Sequence, residues 1–223
     1  MRVMGIDTAT SVCSVGITSE SGFEFDYRIN HKNVHGEYLS GVIREVLNAF
    51  RITLSDIDGF AVSIGPGSFT GLRIGLGVVK GIVLAGKKPV AAVPTMDGLI
   101  HRVPPLAKKG CVMLMSRKTE VYQGKYHYAD GKWKREGEYQ IINEKDIGRN
   151  FTEEETIFIG EGINKFSSLI LKRVKRPQFI QEDFSFPSGF SIAQLGREMI
   201  IKGEEIDIET IVPLYLKRFK GVM

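Results

Sequence analysis

The sequence predicts an α/β protein in two lobes. An opening strand meander, later apolar strands alternating with amphipathic helices, and a Val103-Pro104-Pro105 break near the middle carry that prediction. The break divides the chain into lobes 1–102 and 103–223. With 223 residues the chain can bury one large core or two modest ones. Its 43% hydrophobic and 25% charged residues exclude a disordered or collagen-like class. No internal sequence repeat and no low-complexity tract is visible.

Residues 2–8 read as a strand, Cys13 to Thr18 as a second and Phe23 to Ile29 as a third. Tyr38, Leu39, Val42, Ile43, Val46, Leu47 and Phe50 then recur at helical spacing and form one apolar stripe. After the turn Ser55 to Gly59, Phe60 to Ile64 is a compact apolar strand that runs into Gly65-Pro66-Gly67-Ser68-Phe69-Thr70-Gly71. From Leu72 to Ala85 the chain is apolar nearly all round, so this helix needs cover from its own sheet or from another protein. Glycine in a helix costs up to about 1 kcal/mol relative to alanine, so Gly75, Gly77 and Gly81 imply a steric need for close approach. Lys87 to Val93 is a further strand, and Pro94-Thr95-Met96-Asp97 starts another helix.

In the second lobe, Val112 to Met115 and Val121 to Tyr128 are strands joined around Ser116 to Thr119. A hairpin turns at Asp130-Gly131. Ile157 to Ile159 is a strand that ends in Gly160-Glu161-Gly162, followed by a short helix from Phe166 to Val174. Ser191 to Lys202 is an amphipathic helix with Ile192, Leu195, Met199 and Ile200 on one side.

Composition narrows the function classes. The formal charge is +4 and the pI about 9.0, too mild by itself for a nucleic-acid binder. Cys13 and Cys111 alone make neither a disulfide scaffold nor a thiolate zinc site. Asp7 interrupts any signal segment, and Lys80 interrupts the best membrane-length window, so a cytoplasmic protein without a membrane span is expected.

Two glycine-rich features carry the candidate chemistry. The first is Gly5-Ile6-Asp7-Thr8, and the second is the loop Gly65 to Gly71 between a strand and a helix. Backbone amides at a helix start suit an anion, and the candidate nucleotide-binding residues are Asp7, Thr8, Gly65, Gly67, Ser68, Thr70 and Gly71. The spacing is neither a Walker loop nor a Rossmann fingerprint. A tight turn with Ser68 capping the helix, and Asp7 and Thr8 capping a strand turn, is the structural alternative. No catalytic residue and no metal ligand set is expected. His31 and His35 read as loop residues without a third ligand, His101 and His127 are isolated, and neither cysteine has a recognisable base.

The pairing of these two features resembles the phosphate-gripping layout of actin- and hexokinase-like ATPases. More narrowly, Met4-Gly5-Ile6-Asp7-Thr8-Ala9-Thr10, the run from Gly65 through Gly75, Arg117 to Tyr122 and Pro213-Leu214-Tyr215-Leu216-Lys217-Arg218 resemble the bacterial TsaB (YeaZ) family. The resemblance implies a two-lobed actin-like, ribonuclease H-like fold with a mixed sheet flanked by helices in each lobe. It implies a non-catalytic partner subunit in the threonylcarbamoylation of adenosine 37 of ANN-decoding tRNAs, working with TsaD and TsaE. It implies tRNA contact only within the complex, and no cofactor beyond weak ATP or ADP at the partner interface. At the place of the metal-binding His-x-x-x-His of TsaD this chain has Thr95-Met96-Asp97-Gly98-Leu99, so neither imidazole is present. Where the family usually has aspartate-alanine-arginine, the chain has Met115-Ser116-Arg117.

Three readings follow. In the first, the two apolar helices dock on TsaD through Tyr38, Leu39, Val42, Val46, Leu72, Gly75, Leu76, Val79, Ile82 and Val83, burying roughly 800 Å² per partner. The same patch makes a homodimer of the isolated protein. In the second, Asp7 and the glycine loop serve an ATP-binding hydrolase or kinase-like enzyme. The third, a peptidase, follows an older glycoprotease-like label and lacks a nucleophile. The basic cluster Lys172-Arg173-Lys175-Arg176 and the tail Lys217, Arg218 and Lys220 either touch tRNA phosphates or are solvated surface.

Overall fold

The computed structural model describes residues 1–21, 24–30, 34–151, 153–180 and 184–216. His31 and the tail residues Lys217, Arg218 and Lys220 lie outside these, and only the helical backbone is described at His35. Two compact units form, Met1–Gly98 with Pro187–Pro213, and Leu99–Phe186 with Leu214–Met223. Each is an α/β unit on a five-stranded mixed sheet, the arrangement of the actin-like, ribonuclease H-like fold class.

In the first unit, β1 (Val3–Asp7), β2 (Val12–Thr18), β3 (Glu24–Asn30), β4 (Gly59–Ser63) and β5 (Val90–Val93) lie in the order β3-β2-β1-β4-β5. Short connections make β1, β2 and β3 an antiparallel meander. β4 lies parallel to β1, and β5 to β4, after crossovers through α1 (Val34–Ala49) and α2 (Phe69–Gly86). The helix α3 (Thr95–His101) follows β5.

Side chains alternate along β1 and β2, and that alternation assigns each face of the sheet. Met4, Ile6, Cys13, Val15 and Ile17 point to the side where α1 and α2 pack. The docking stripe expected from the sequence is on this side. Leu39, Val42, Val46, Leu72, Leu76 and Val79 are all at most 4% exposed, and Val83 and Gly75 are buried with them. These residues cannot form the partner surface, because the protein's own sheet is what covers them. Of the ten, only Tyr38 is exposed, while Ile82 is half-buried. α2 is long and apolar enough to span a bilayer by length and composition, yet its apolar stripe lies against the sheet.

The other face is covered by α5 (Gly189–Ile201), through Val3, Ala61, Ala91, Val93, Ile192, Ala193 and Ile200. The sequence reading places this helix in the second lobe, but it belongs to the first unit. The reason is steric. A Cβ on Gly5 would stand 2.1 Å from the Gly189 carbonyl oxygen, and one on Gly16 would stand 2.0 Å from the Phe190 nitrogen. A Cβ on Gly189 would meet the Gly16 nitrogen at 2.3 Å, so helix and strand backbones touch directly.

The second unit repeats this topology. β6 (Lys109–Arg117), β7 (Glu120–Ala129), β8 (Lys132–Asn143), β9 (Thr156–Ile159) and β10 (Pro177–Phe179) are ordered β10-β9-β6-β7-β8. β6, β7 and β8 are antiparallel, and β9 and β10 run parallel to β6 and β9 in turn. The repeat absent from the sequence is thus present in the topology. β7 and β8 turn through Asp130 and Gly131, both left-handed with φ of 53° and 77°, which matches the twist of a tight hairpin. α4 (Gly162–Arg173) packs Ile163, Phe166 and Ile170 onto Cys111, Met113, Val121 and Phe158. It begins four residues before the expected Phe166. β10 has no counterpart in the sequence reading, being only three residues long.

Gly16→Ala is expected to destabilise the protein by about 3 kcal/mol or more in urea unfolding, because the added methyl must displace α5. Gly77→Ala on α2, where a Cβ meets nothing within 4 Å, is expected instead to stabilise by up to about 1 kcal/mol.

Candidate functional site

The two glycine-rich features meet at the carboxyl ends of β1 and β4, which are parallel neighbours. β4 ends at Ser63, and Ser68 caps α2 by accepting from the Gly71 amide at 3.2 Å. The loop between is held by its own chain. The Gly65 amide donates to the Thr95 hydroxyl at 3.1 Å, and the Thr95 amide donates back to the Gly65 carbonyl at 2.9 Å. The Ser68 amide donates to the Ala9 carbonyl at 2.7 Å. A Cβ on Gly67 would stand 2.3 Å from that same oxygen. Three of the amides expected to receive an anion, those of Gly65, Ser68 and Gly71, therefore already have acceptors.

Thr8 is also engaged. Its hydroxyl donates to the Gly71 carbonyl at 2.8 Å, and it fills the space that a side chain at Gly75 would need. The buried Gly75 thus serves contact between β1 and α2. Thr70, in the first turn of α2, is exposed. The structure brings all seven predicted nucleotide-binding residues into one region, with the turn-forming contacts of the structural alternative in place.

Asp7 is fully buried. One carboxyl oxygen accepts from the Ala9 amide at 2.8 Å, while Oδ2 lacks a hydrogen-bond partner. Burial pushes its pKa from an ordinary 3.8 up to about 7, against the opposing pull of the Ala9 amide and of Ser63. The Ser63 hydroxyl is near enough to favour the charged form without completing a hydrogen bond. A half-protonated, enclosed carboxyl is a poor ligand for a divalent ion, which requires several charged or carbonyl oxygens around it. No group of three or more His, Cys, Asp or Glu side chains is placed to hold a metal among the described residues. Thr95 bonds the glycine loop, and Leu99 has no ligand atom, so these residues do not fit a metal of the TsaD type. Burial raises both cysteine thiols to about 12, which removes them as ready nucleophiles.

A family model described as TsaD: tRNA N6-adenosine threonylcarbamoyltransferase matches residues 30–218. The chain belongs to this family. Within it, the chain lies with the TsaB (YeaZ) proteins. It is 29% identical to the tRNA threonylcarbamoyladenosine biosynthesis protein TsaB of Buchnera aphidicola (subsp. Baizongia pistaciae), over 96% of this chain and 97% of that one. To the TsaB of Escherichia coli it is 24% identical over 97% and 95% of the two chains. The structure superposes on a Pseudomonas aeruginosa protein described as similar to the peptidase YEAZ with a TM-score of 0.84, at 25% identity and over 97% and 99% of the two chains.

One polar cluster of this TsaB-type chain escapes the sequence reading. Asp26 accepts from the Ser14 hydroxyl at 3.0 Å, the Ser188 hydroxyl at 2.9 Å and the Phe190 amide at 3.3 Å. The Gly189 amide donates to Ser14 at 2.8 Å, and Arg28 pairs with Asp26 at 3.1 Å. A carboxylate at the start of α5 meets unsatisfied amides and the positive helix end. The local signal is Ser188 as a helix cap, but the Asp26 that binds Ser188 and Phe190 lies more than 160 residues away. In the second unit, Glu161 brings a carboxyl to the Met115 amide at 3.3 Å, and burial raises its pKa. An acid thus stands beside the Met115-Ser116-Arg117 strand end from a different element.

Asp7 makes stability pH-dependent. Well below pH 4 both folded and unfolded chains hold the proton, and the group is neutral to stability. Between about pH 4 and 7 only the unfolded chain releases it, so stability falls by up to about 4 kcal/mol as pH rises. Asp7→Asn is expected to flatten that slope and to raise the unfolding midpoint at pH 8 but not at pH 4. Equal slopes in urea titrations of both proteins would show that Asp7 is ionised.

Proposed function

We propose that this chain is a non-catalytic partner subunit in tRNA threonylcarbamoyladenosine biosynthesis, supporting threonylcarbamoylation of adenosine 37 by a TsaD-type transferase together with TsaE. The observation that carries the reading is the reciprocal Thr95–Gly65 hydrogen-bonded pair. Where the transferase branch has a metal-binding histidine, this chain has a threonine that closes its own glycine loop. The buried Asp7 and the engaged amides of Gly65, Ser68 and Gly71 support the same conclusion. The setting is cytoplasmic, where the tRNA substrate is.

The docking surface belongs to the outward face of α2 and α1, not to their buried stripe. On α2, Arg73, Gly77, Gly81 and Leu84 are exposed, with Ile74, Val78 and Ile82 half-buried between them. On α1, Tyr38 is 50% exposed, and Gly41 faces open space as Gly77 and Gly81 do. Small residues flanked by partly covered aliphatic ones leave a flat ridge on which a second helix pair can lie closely. In the absence of the transferase, the same face pairs two copies of the chain about a two-fold axis.

Depleting the protein from cells is expected to lower threonylcarbamoyladenosine in tRNA digests analysed by nucleoside mass spectrometry. An unchanged level would remove the biological role. The double variant Gly77→Arg/Gly81→Arg adds side chains only into open space, so it is expected to fold yet to lose capture of the TsaD-type subunit. Undiminished capture would move the interface elsewhere. Magnesium-dependent ATP turnover by the purified chain alone, abolished in Asp7→Ala, would favour the hydrolase reading instead.

A further inference from the structure

Charge is divided unevenly between the two units. The second has 19 basic and 12 acidic residues, and the first 11 basic and 14 acidic, so the modest overall +4 conceals a basic unit and an acidic one. The excess concentrates on α4 and the residues after it. From Gly162 to Arg176 there are five lysines and arginines and no aspartate or glutamate.

The geometry sorts these five by role. Ile163, Phe166 and Ile170 face the core, so Lys165, Ser168, Leu171 and Lys172 face outward. Lys165 and Lys172 are two turns apart on one face, about 10 Å along the axis. Lys165 Nζ donates to the Lys118 carbonyl, which sets the β6–β7 turn, with exposed Arg117 and Lys118, beside the start of α4. Arg173 is exposed but engaged as a brace. Its Nη1 donates to the carbonyls of Ile147 at 2.7 Å and Lys145 at 3.1 Å. Lys175 pairs with Glu153, and the nearby Asp146 pairs with Arg149 at 3.0 Å. Arg117, Lys118, Lys172 and Arg176 remain exposed and form no ion pair among the described residues.

These cations are strung along a ridge and do not converge on a point, so one small anion cannot satisfy them. A chain of phosphates can. The ridge carries no aromatic side chain on which bases would stack, so the contact is to the sugar–phosphate backbone and does not read sequence. Leu171, 60% exposed, is its one large apolar residue, too little to insert into a bilayer. We propose that the outward face of α4, with the β6–β7 turn and Arg176, contacts tRNA phosphates while the modification complex holds its substrate. This inference rests on the tRNA-modification reading above.

The test uses the chain assembled with its TsaD-type partner and a labelled, unmodified transcript of an ANN-decoding tRNA. The variant Arg117→Gln/Lys118→Gln/Lys172→Gln/Arg176→Gln leaves the braces Lys165 and Arg173 intact. It is expected to keep the wild-type melting temperature and partner capture. Its tRNA affinity is expected to fall at least about tenfold in 0.1 M salt, with a log–log salt slope shallower by about 2 to 4. Lys87→Gln/Lys88→Gln in the first unit is the control and should change neither. If the wild-type complex binds and modifies tRNA while the fourfold variant matches it in affinity and slope, this surface is refuted and the tRNA role stands. An equal loss in the control also refutes the surface. If the wild-type complex does not bind the transcript and cellular threonylcarbamoyladenosine is independent of the chain, both readings fall. Binding to anionic-lipid vesicles in preference to the transcript would identify a membrane ligand and overturn the proposal.

Discussion

The first unit depends on α5 lying directly on the backbone of β1 and β2. Gly5, Gly16 and Gly189 remove every side chain from the crossing point, where any methyl group would overlap a main-chain atom. Gly196 does the same two turns further along, with Ala61 beneath it. At that crossing backbone meets backbone beside the apolar cluster, and polar groups at the helix start add to its alignment. Asp26, Ser14 and Ser188 do so by occupying the amides that a helix leaves unpaired. Close packing and capping therefore act together, since a shift of the helix would lose both at once.

That constraint propagates to the candidate site. With α5 pressed on one face and α1 and α2 on the other, the carboxyl ends of β1 and β4 are enclosed, and Asp7 has no access to water. Burial then favours its neutral form, while the glycine loop next to it bonds to Thr95, Ala9 and Ser68. The glycine loop serves in this way as a structural joint. Its geometry holds α2 against the sheet and leaves the far side of α2 turned outward.

The second unit reaches the same strand order with different residues. Its own glycine turn, Gly160-Glu161-Gly162, presses on the Met113 carbonyl, much as Gly67 presses on that of Ala9. The recurrence concerns backbone approach and not side-chain identity, which explains why no repeat is visible in the sequence. Where the first unit turns a face of small and aliphatic residues outward from α2, the second turns a basic one outward from α4.

The sequence by itself determined most elements of secondary structure. Hydrophobic period marked α1 and α5, an apolar run after the glycine loop marked α2, and Asp130-Gly131 marked the β7–β8 hairpin, because these signals are local. It also located the glycine loop and the missing imidazoles at Thr95 and Leu99, since residue chemistry is legible without coordinates. Only the tertiary structure decided which face of each element is covered. The stripe from Leu39 to Val83 is apolar whether its cover is a partner or the sheet, and periodicity contains no term that separates the two. The return of α5 to the first unit and the gathering of Ser14, Asp26 and Ser188 likewise depend on contacts across more than 160 residues. Such contacts arise from packing, which no local pattern encodes.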